Sequence, residues 1–377
     1  MRIVVAMSGG VDSSTAAALL KEAGHEVIGL AMKTHGEAPR ANRACCTPDD
    51  MRDARRVADG LDIPFYVLNY ADVFAEQVIA PFVAAYRAGR TPNPCVACND
   101  KVKFAPLLAR AKLLGADRLA TGHYARIVDA TAVPGQLSLC RGVDAKKDQS
   151  YFLYRLDQAQ LRMLMFPLGH LRKEEVRAEA RRLGLQVADK QESQEICFVG
   201  AEGYAKTVER LGGDAPRPGD VVDVAGKVLG RHLGIHHYTL GQRRGVGIAS
   251  AEPLYVVGLD AATATVRVGP KTALLARSVH LEDVVWAAGT PPPVDSIVAV
   301  QQRHRQVPQL ARIVATTPDV AGGVALHLMF LQPEVRAAPG QAAVLYVDDH
   351  VVGGGTIAAN GTHKAVPVGR PGLQVLA

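Results

Sequence analysis

The sequence predicts an α/β protein: a parallel sheet covered by helices on both faces, followed by a helical segment and two small β domains. Three observations predict it. Strand-like and helix-like runs alternate over the first 125 residues. From about Tyr151 the chain reads mostly helical. Beyond the break Asp214-Ala215-Pro216-Arg217-Pro218-Gly219 it changes to short β-branched runs separated by glycine.

In order, Arg2–Met7 reads as a buried strand and Ser13–Ala23 as a helix rich in good helix formers. Glu26–Met32 is a second strand, Asp49–Leu61 an amphipathic helix, and Phe65–Asn69 a third strand. Val73–Arg87 and Val102–Leu114 follow as helices, then Arg118–Thr121 as a strand. Ligands of such sheets bind at the carboxyl ends of the strands. Residues 1–213 therefore form one expected domain, with a helical extension from about 151 that includes the basic run Arg172–Leu183. Strands at Val221–Val224, Leu254–Gly258 and Thr265–Val268 place a central β domain at 214–280, with a boundary near Val279–Asp283. Gly289–Pro293 is a loop, and Ile297–Gln301, Ala311–Val314, Val324–Phe330 and Ala343–Val347 give a barrel-like domain at 281–377.

A chain of 377 residues exceeds one ordinary core, and 48% hydrophobic with 21% charged residues describes a soluble globular protein. Met1–Met7 is too short for a signal-peptide core and no later apolar stretch reaches membrane length, so the expected location is the cytoplasm with no membrane partner. A net charge of +6 and an isoelectric point near 9.0 suit a polyanionic partner without requiring one. Six cysteines in a reducing compartment point to catalytic or metal-binding uses, not to a structural disulfide set.

Ser8-Gly9-Gly10-Val11-Asp12-Ser13-Ser14 lies between the first strand and the first helix. Two glycines let the backbone turn tightly and expose its N–H groups. Serine hydroxyls and the positive helix end add to an anion cradle. Asp12 is placed to hold a magnesium ion bridging phosphates. The string is neither a Walker A loop nor the Rossmann glycine pattern, which sets aside kinase and hydride chemistry. It resembles the PP-loop of the ATP pyrophosphatases, which implies cleavage of ATP between the α and β phosphates and adenylation of an oxygen.

Thr91-Pro92-Asn93-Pro94-Cys95-Val96-Ala97-Cys98-Asn99 is a proline-set loop running into a helix, with Lys101 and Lys103 just beyond. Cations and a helix start lower a thiol pKa, so Cys98 has the surroundings of a reactive thiolate. No second C-x-x-C follows at finger spacing, which favours a reactive or cluster-binding cysteine over structural zinc. A lone cysteine such as Cys197 is ordinarily a small buried hydrophobe. Cys140 and the adjacent Cys45-Cys46 read as inert or structural.

The ordered strings S-G-G-V-D-S-S, G-L-A-M-K (Gly29–Lys33), T-P-N-P-C-V-A-C-N, A-T-G-H-Y (Ala120–Tyr124), K-D-Q-S-Y-F-L (Lys147–Leu153) and S-Q-E-I-C-F resemble the bacterial tRNA-specific 2-thiouridylases. The resemblance runs from residue 1 to about 250 and continues weakly to Gln341. It implies that the chain makes 2-thiouridine at the wobble position of tRNA, using ATP and Mg2+. Ala6, Met7, Ser8, Gly9, Gly10, Val11, Asp12, Ser13, Met32 and Gly122 would bind ATP. Asn93, Pro94 and Cys95 would face the target base. Cys98 matches the nucleophile and Cys197 the persulfide-bearing cysteine, with a transient Cys98–Cys197 disulfide. His123, Lys147, Asp148, Gln149, Arg303, His304 and Gln341 match tRNA-contacting positions. The expected partners are tRNA and a sulfur-donating protein, a cysteine desulfurase or persulfide carrier. Many members of the family carry aspartate where Cys95 stands. Cys95, Cys98 and Cys197 therefore also form a set able to hold a [4Fe–4S] cluster, and both sulfur routes stay open.

Arg172-Lys173 with Arg177, Arg181 and Arg182, Gly241–Gly245, and Gln301–Gln306 are basic stretches expected to meet tRNA phosphates. Two other readings compete: another PP-loop ligase that forms AMP, and a non-catalytic RNA-binding or iron–sulfur carrier protein. The first would not need the Cys98/Cys197 pair, and the second would not need Asp12 and an intact phosphate loop.

Overall fold

The computed structural model describes residues 1–34, 47–130, 134–192, 196–213, 215–319 and 322–359. Cys45 and Cys46 lie outside these described residues.

The amino-terminal core is a five-stranded parallel sheet in the order Phe65–Asn69, Glu26–Lys33, Arg2–Ala6, Arg118–Thr121, Leu164–Met165. Its central strand is apolar because it is covered on both faces: Ile3, Val4 and Val5 are fully buried. The helix Val11–Glu22 is equally submerged, and its small residues Ala16, Ala17 and Ala18 let it lie close against the sheet. Helix Pro48–Gly60 starts by design of its sequence. Thr47 and Asp50 close a reciprocal capping box, and proline occupies the first turn, where no amide donor is missed. The chain builds outward from Arg2–Ala6 in one direction, then returns to place Arg118–Thr121 on the other side of it. That reversal is the switch point at which α/β sheets open a binding crevice.

Two β assemblies follow, as the change in texture predicts. The central one is a four-stranded sheet in the order Tyr255–Asp260, Thr265–Gly269, Gly219–Val222, Val228–His232. The second is a sheet of six strands, Leu275–Trp286, Val324–Val335, Gln309–Pro318, Ile297–Gln301, Ala342–Val347 and His350–Ile357, closed by pairing of the first with the last. The boundary expected at Val279–Asp283 falls inside Leu275–Trp286. That strand pairs along its length within the barrel, so the barrel reaches back to residue 275.

One hairpin of the amino-terminal half, Ala125–Asp129 with Leu137–Arg141, joins the edge of this barrel through Cys140 opposite His350. The joint is polar at its rim and aromatic at its centre. Tyr346 is fully buried, with the Arg141 guanidinium 3.5 Å from its ring centroid and the Ser150 hydroxyl 3.2 Å from its own. Among the described residues no helix is long and apolar enough to cross a membrane.

Tyr346→Ala removes the centre of this joint, and truncations of large buried aromatics cost about 3–5 kcal/mol. A loss of unfolding free energy of that size, measured by urea denaturation, is expected; a change under about 1 kcal/mol would show that the barrel does not lean on the hairpin.

Candidate active site

The first strand delivers the chain into Ser8-Gly9-Gly10 at the switch point, and helix Val11–Glu22 begins at once. Gly10 offers no side-chain cap, so the first N–H groups of a twelve-residue helix are left for an anion. Gly9 sits at φ +73°, and a β-carbon there would lie 1.9 Å from the carbonyl oxygen of Asp50. At Gly122, just past the neighbouring strand, a β-carbon would lie 2.7 Å from the Ser13 nitrogen. Both walls of the cradle are therefore bare backbone by necessity. Ser13 braces the loop from inside: its hydroxyl accepts from the Ser8 amide at 3.1 Å and donates to the Gly10 carbonyl at 3.4 Å. Ser14 is fully buried, so its hydroxyl does not add to the cradle surface as expected. Met7, Val11 and Met32 are buried as well, which leaves their backbone, not their side chains, to face a nucleotide.

Asp12 Oδ1 accepts from the Tyr124 hydroxyl at 2.7 Å and from Lys173 Nζ at 2.6 Å. Lys173, buried at the start of helix Lys173–Arg182, also meets Glu192 Oε1 at 2.6 Å. Glu192 takes a further short hydrogen bond from Lys147. Lys190 binds the Gly9 carbonyl at 3.0 Å, Asp50 at 2.7 Å and Asp53 at 2.6 Å. Residues 190–192 are thereby strapped to the phosphate loop by two ammonium groups, Lys173 and Lys190. Burial, then the Asp12 carboxylate, pushes the Tyr124 hydroxyl far up, so it stays a proton donor. Burial would raise the Glu192 pKa, but its hydrogen bonds with Lys147 and Lys173 outweigh that and hold it below the usual carboxylate value.

The thiols come next. Asn93 caps the helix Pro94–Ala97 by accepting from the Val96 amide at 3.3 Å. The helix then continues through a π-helical segment, Cys98–Phe104, into Ala105–Leu113. Wide π turns of this kind recur at functional sites. Cys95 is exposed, Cys98 buried and Cys197 half-buried. Cys98 belongs to the apolar cluster that includes Val96, Tyr151 and Phe198, and Cys197 packs against the same cluster. Two cysteines 99 positions apart in sequence thus touch the same large apolar cluster.

The positions expected to contact tRNA fall into two groups. Asp148, buried, accepts from Arg141 at 2.9 Å, from the amides of Gly142 and Ser150 at 3.1 Å, and from the Ser150 hydroxyl at 3.0 Å. Gln149 Oε1 accepts from the Tyr124 amide at 3.0 Å, and Gln341 Nε2 donates to the carbonyls of Thr91 at 2.9 Å and Pro92 at 3.3 Å. Together with Lys147, these side chains hold the site together from within. Arg303 is exposed, and His304 lies against Phe152 with ring centres 4.6 Å apart and planes tilted by 50°. His123 bonds Thr121 Oγ1 through Nδ1 at 2.7 Å. Burial, aided by the nearby Lys103 charge, pushes His123 down to about 3, so it meets any ligand as a neutral ring.

The basic face expected on Arg172–Leu183 is largely consumed internally. Arg177 donates to the carbonyls of Ala188 and Lys190, Arg181 pairs with Asp189, Arg182 pairs with Glu22 and Glu179, and Lys173 points into the site. Sequence reasoning missed Lys173, Lys190, Glu192 and Tyr124 as site residues. Only the A-T-G-H-Y string, which ends on Tyr124, and the S-Q-E-I-C-F string, which begins just after Glu192, pointed near them.

An open helix start walled by glycine at the switch point of a parallel sheet, ringed by ammonium groups, defines an α/β nucleotide-binding protein of the PP-loop class. The tRNA methyl transferase HUP domain matches residues 1–201, the tRNA methyl transferase PRC-barrel domain 207–270, and the aminomethyltransferase beta-barrel domain 276–357. The tRNA-specific 2-thiouridylase MnmA of Geobacter metallireducens is 50% identical over 365 residues, covering 95% of this chain and 97% of its own. That of Rhodospirillum centenum is 50% identical over 366 residues, covering 94% and 91%. The chain belongs to the tRNA-specific 2-thiouridylase family.

A carboxylate whose folded pKa is depressed contributes stability above its unfolded value and loses it as pH falls through the folded one. Glu192→Gln is therefore expected to lower Tm against the parent near neutral pH, with the gap closing as pH drops below the ordinary value of 4.5. A gap that stays constant into acid would show that the strap is not held by charge.

Proposed function

We propose that the chain is an ATP-dependent tRNA sulfurtransferase that replaces the C2 oxygen of a wobble uridine with sulfur. The observation that carries this reading is the stretch 190–197. Lys190 and Glu192 tie its start to the phosphate loop through Gly9, Asp50 and Lys173, and Cys197 at its end packs on the cluster that contains Cys98. Cys197 therefore follows closely in sequence on residues tied to the nucleotide cradle, and it touches the cluster that contains Cys98.

Uridine O2 is a poor leaving group. Its attack on the ATP α-phosphate forms a uridine adenylate and releases pyrophosphate, which the helix-start N–H groups and the lysines around the loop suit by their charge. Ala6–Ser13, Met32 and Gly122 are assigned to the nucleotide. A magnesium ion would fit at Asp12, whose Oδ1 is used by Tyr124 and Lys173, and would neutralise phosphate charge. The terminal sulfur of a Cys197 persulfide then attacks C2 and AMP departs. Cys98 thiolate attacks the Cys197 sulfur of the adduct, the S–S bond to the base breaks, and 2-thiouridine leaves with that electron pair. A Cys98–Cys197 disulfide remains and must be reduced by an external dithiol before the next cycle. A persulfide-bearing protein reloads Cys197. Asn93, Pro94 and Cys95 are assigned to the uridine, which chemistry at C2 requires to be flipped out of the stack. Arg303 and His304 are assigned to the tRNA backbone. His123, Lys147, Asp148, Gln149 and Gln341 position these elements.

A second reading rests on Cys95. It stands three residues before Cys98 on one helix, a spacing that shares a face, and its soft sulfur would complete a three-thiolate set with Cys98 and Cys197. Such a set would hold a [4Fe–4S] cluster with one open iron for sulfide.

Cys98→Ser and Cys197→Ser are each expected to cut tRNA thiolation by about 10³-fold or more, while tRNA-dependent ATP–pyrophosphate exchange persists. Thiolation by both variants would remove the two-thiol route. Protein purified without oxygen is expected to carry no stoichiometric iron or acid-labile sulfide; four irons per chain, lost in Cys95→Ala, would establish the cluster instead.

A further inference from the structure

Outside the active site, one cluster of side chains has the composition of a metal centre. Glu209 lies on helix Gly203–Gly212, and His236 and His237 lie on the 3₁₀ turn Ile235–His237 of the central β domain. One ligand atom from each of the three residues can be chosen so that all lie within 4.8 Å of one another. Both imidazole Nε2 atoms converge on a single oxygen, Glu209 Oε1, at 3.0 Å from His236 and 2.9 Å from His237. We propose that Glu209, His236 and His237 bind a divalent transition-metal ion of the zinc class, which clasps helix Gly203–Gly212 to the central β domain.

Four features support a metal over a simple hydrogen-bonded triad. The donor set is two imidazoles and a carboxylate, which suits zinc and its neighbours and poorly suits magnesium or calcium, whose shells are made of oxygen. Ligand atoms about 2.1 Å from a tetrahedral metal stand roughly 3.4 Å apart. The observed separations from Glu209 need only open by a few tenths of an ångström. His237 Nε2 is buried, and its approach to Glu209 is not aligned as a hydrogen bond, so the contact leaves its nitrogen unsatisfied. His236, only 6% exposed, is held in place by bare backbone: a β-carbon on Gly234 would lie 2.4 Å from its Cε1.

Adjacent residues seldom chelate one ion, because successive side chains diverge. Here the turn ends at His237, Tyr238 is extended, and the two rings stand 4.4 Å apart at 40°. The Tyr204 hydroxyl fixes the turn from the same helix by donating to the His237 carbonyl at 3.1 Å. A cavity of about 230 Å³, lined by Glu209 and His236 together with Arg87 and Arg217, opens beside the cluster. It gives room for water or an anionic ligand at a fourth coordination position. The helix that carries Glu209 starts six residues after Cys197, so the clasp would anchor the chain that leaves the half-buried thiol.

The test uses the full-length chain with Cys45→Ser, Cys46→Ser, Cys95→Ala, Cys98→Ser, Cys140→Ala and Cys197→Ser, so that no thiol can compete and the outcome is independent of the thiolation reading. Chelator-treated protein is titrated with Co2+ and then with Zn2+. One equivalent of cobalt is expected to bind, with visible absorption of nitrogen and oxygen ligation and no thiolate charge-transfer band, and zinc is expected to displace it. Glu209→Gln and His237→Asn should each weaken binding by at least about tenfold, and zinc should raise Tm in the thiol-free chain but not in these variants. Failure of the thiol-free chain to bind one equivalent, or equal affinity in His237→Asn, would overturn the site.

Discussion

The Lys173 ammonium, buried between the carboxylates of Asp12 and Glu192, is the contact on which the site depends. Asp12 belongs to the phosphate loop, Lys173 to a helix far along the chain, and Glu192 to the segment that leads to Cys197. A charge taken out of water is tolerated only when it is paired with good geometry, and removing one partner strands the others. The three groups therefore stand or fall together. Lys190 repeats the device on the other wall, where Asp50 and Asp53 outweigh the cost of burial and hold its pKa up. Two lysines thus fix the same strap against the nucleotide cradle, and neither is part of the loop it fixes.

The barrel completes the arrangement from the opposite side. Gln341 and Pro339 hold the Thr91–Pro92 backbone just ahead of the helix that bears Cys95 and Cys98. Arg155 joins Asp100, in the π-helical segment, to Asp283 of the barrel at 2.9 Å on each side. Burial opposes the Arg155 charge, but the tyrosine and carboxylate around it more than compensate, and its pKa rises. The thiol-bearing helix is therefore gripped at its start and at its π turn by a domain that contributes no residue to the phosphate loop. This explains why several positions matched to tRNA contact are spent on internal bonds. They set the shape of the surface that a nucleic acid would meet.

The fold was legible wherever the signal was local. The first strand, the glycine loop and the first helix are adjacent in sequence, so one string reports the whole cradle. The long-range pairings were not legible. Lys173 lies 161 residues from Asp12, and within K-E-E-V-R it has the pattern of a solvated basic face. The hairpin Ala125–Arg141 and the strand His350–Ile357 escaped for a related reason. The run Gly353-Gly354-Gly355 argues against a strand on propensity alone. In the barrel it is required, because β-carbons there would strike Trp286, Tyr154 and the Glu282 carbonyl as the sheet closes. The domain boundary near Val279–Asp283 was misjudged because the positive-φ Asp283, which resembles a turn in sequence, bends a continuous strand.

The unequal exposure of the thiols matches the work the proposed chemistry asks of each. Cys197 must meet a sulfur donor, then the activated base, then Cys98, so it cannot be sealed away, and it is half-buried at the edge of the apolar cluster. Cys98 needs one partner only. Burial protects it from outside oxidants. The uridine adenylate has the opposite weakness, since water that reaches C2 regenerates uridine and wastes ATP. In the proposed reaction the apolar cluster that both thiols touch would limit water at the base while leaving Cys197 reachable. Lys190 and Glu192, fixed against the cradle, lie seven and five residues before Cys197 in sequence, so the proposed reaction needs little chain between nucleotide and sulfur.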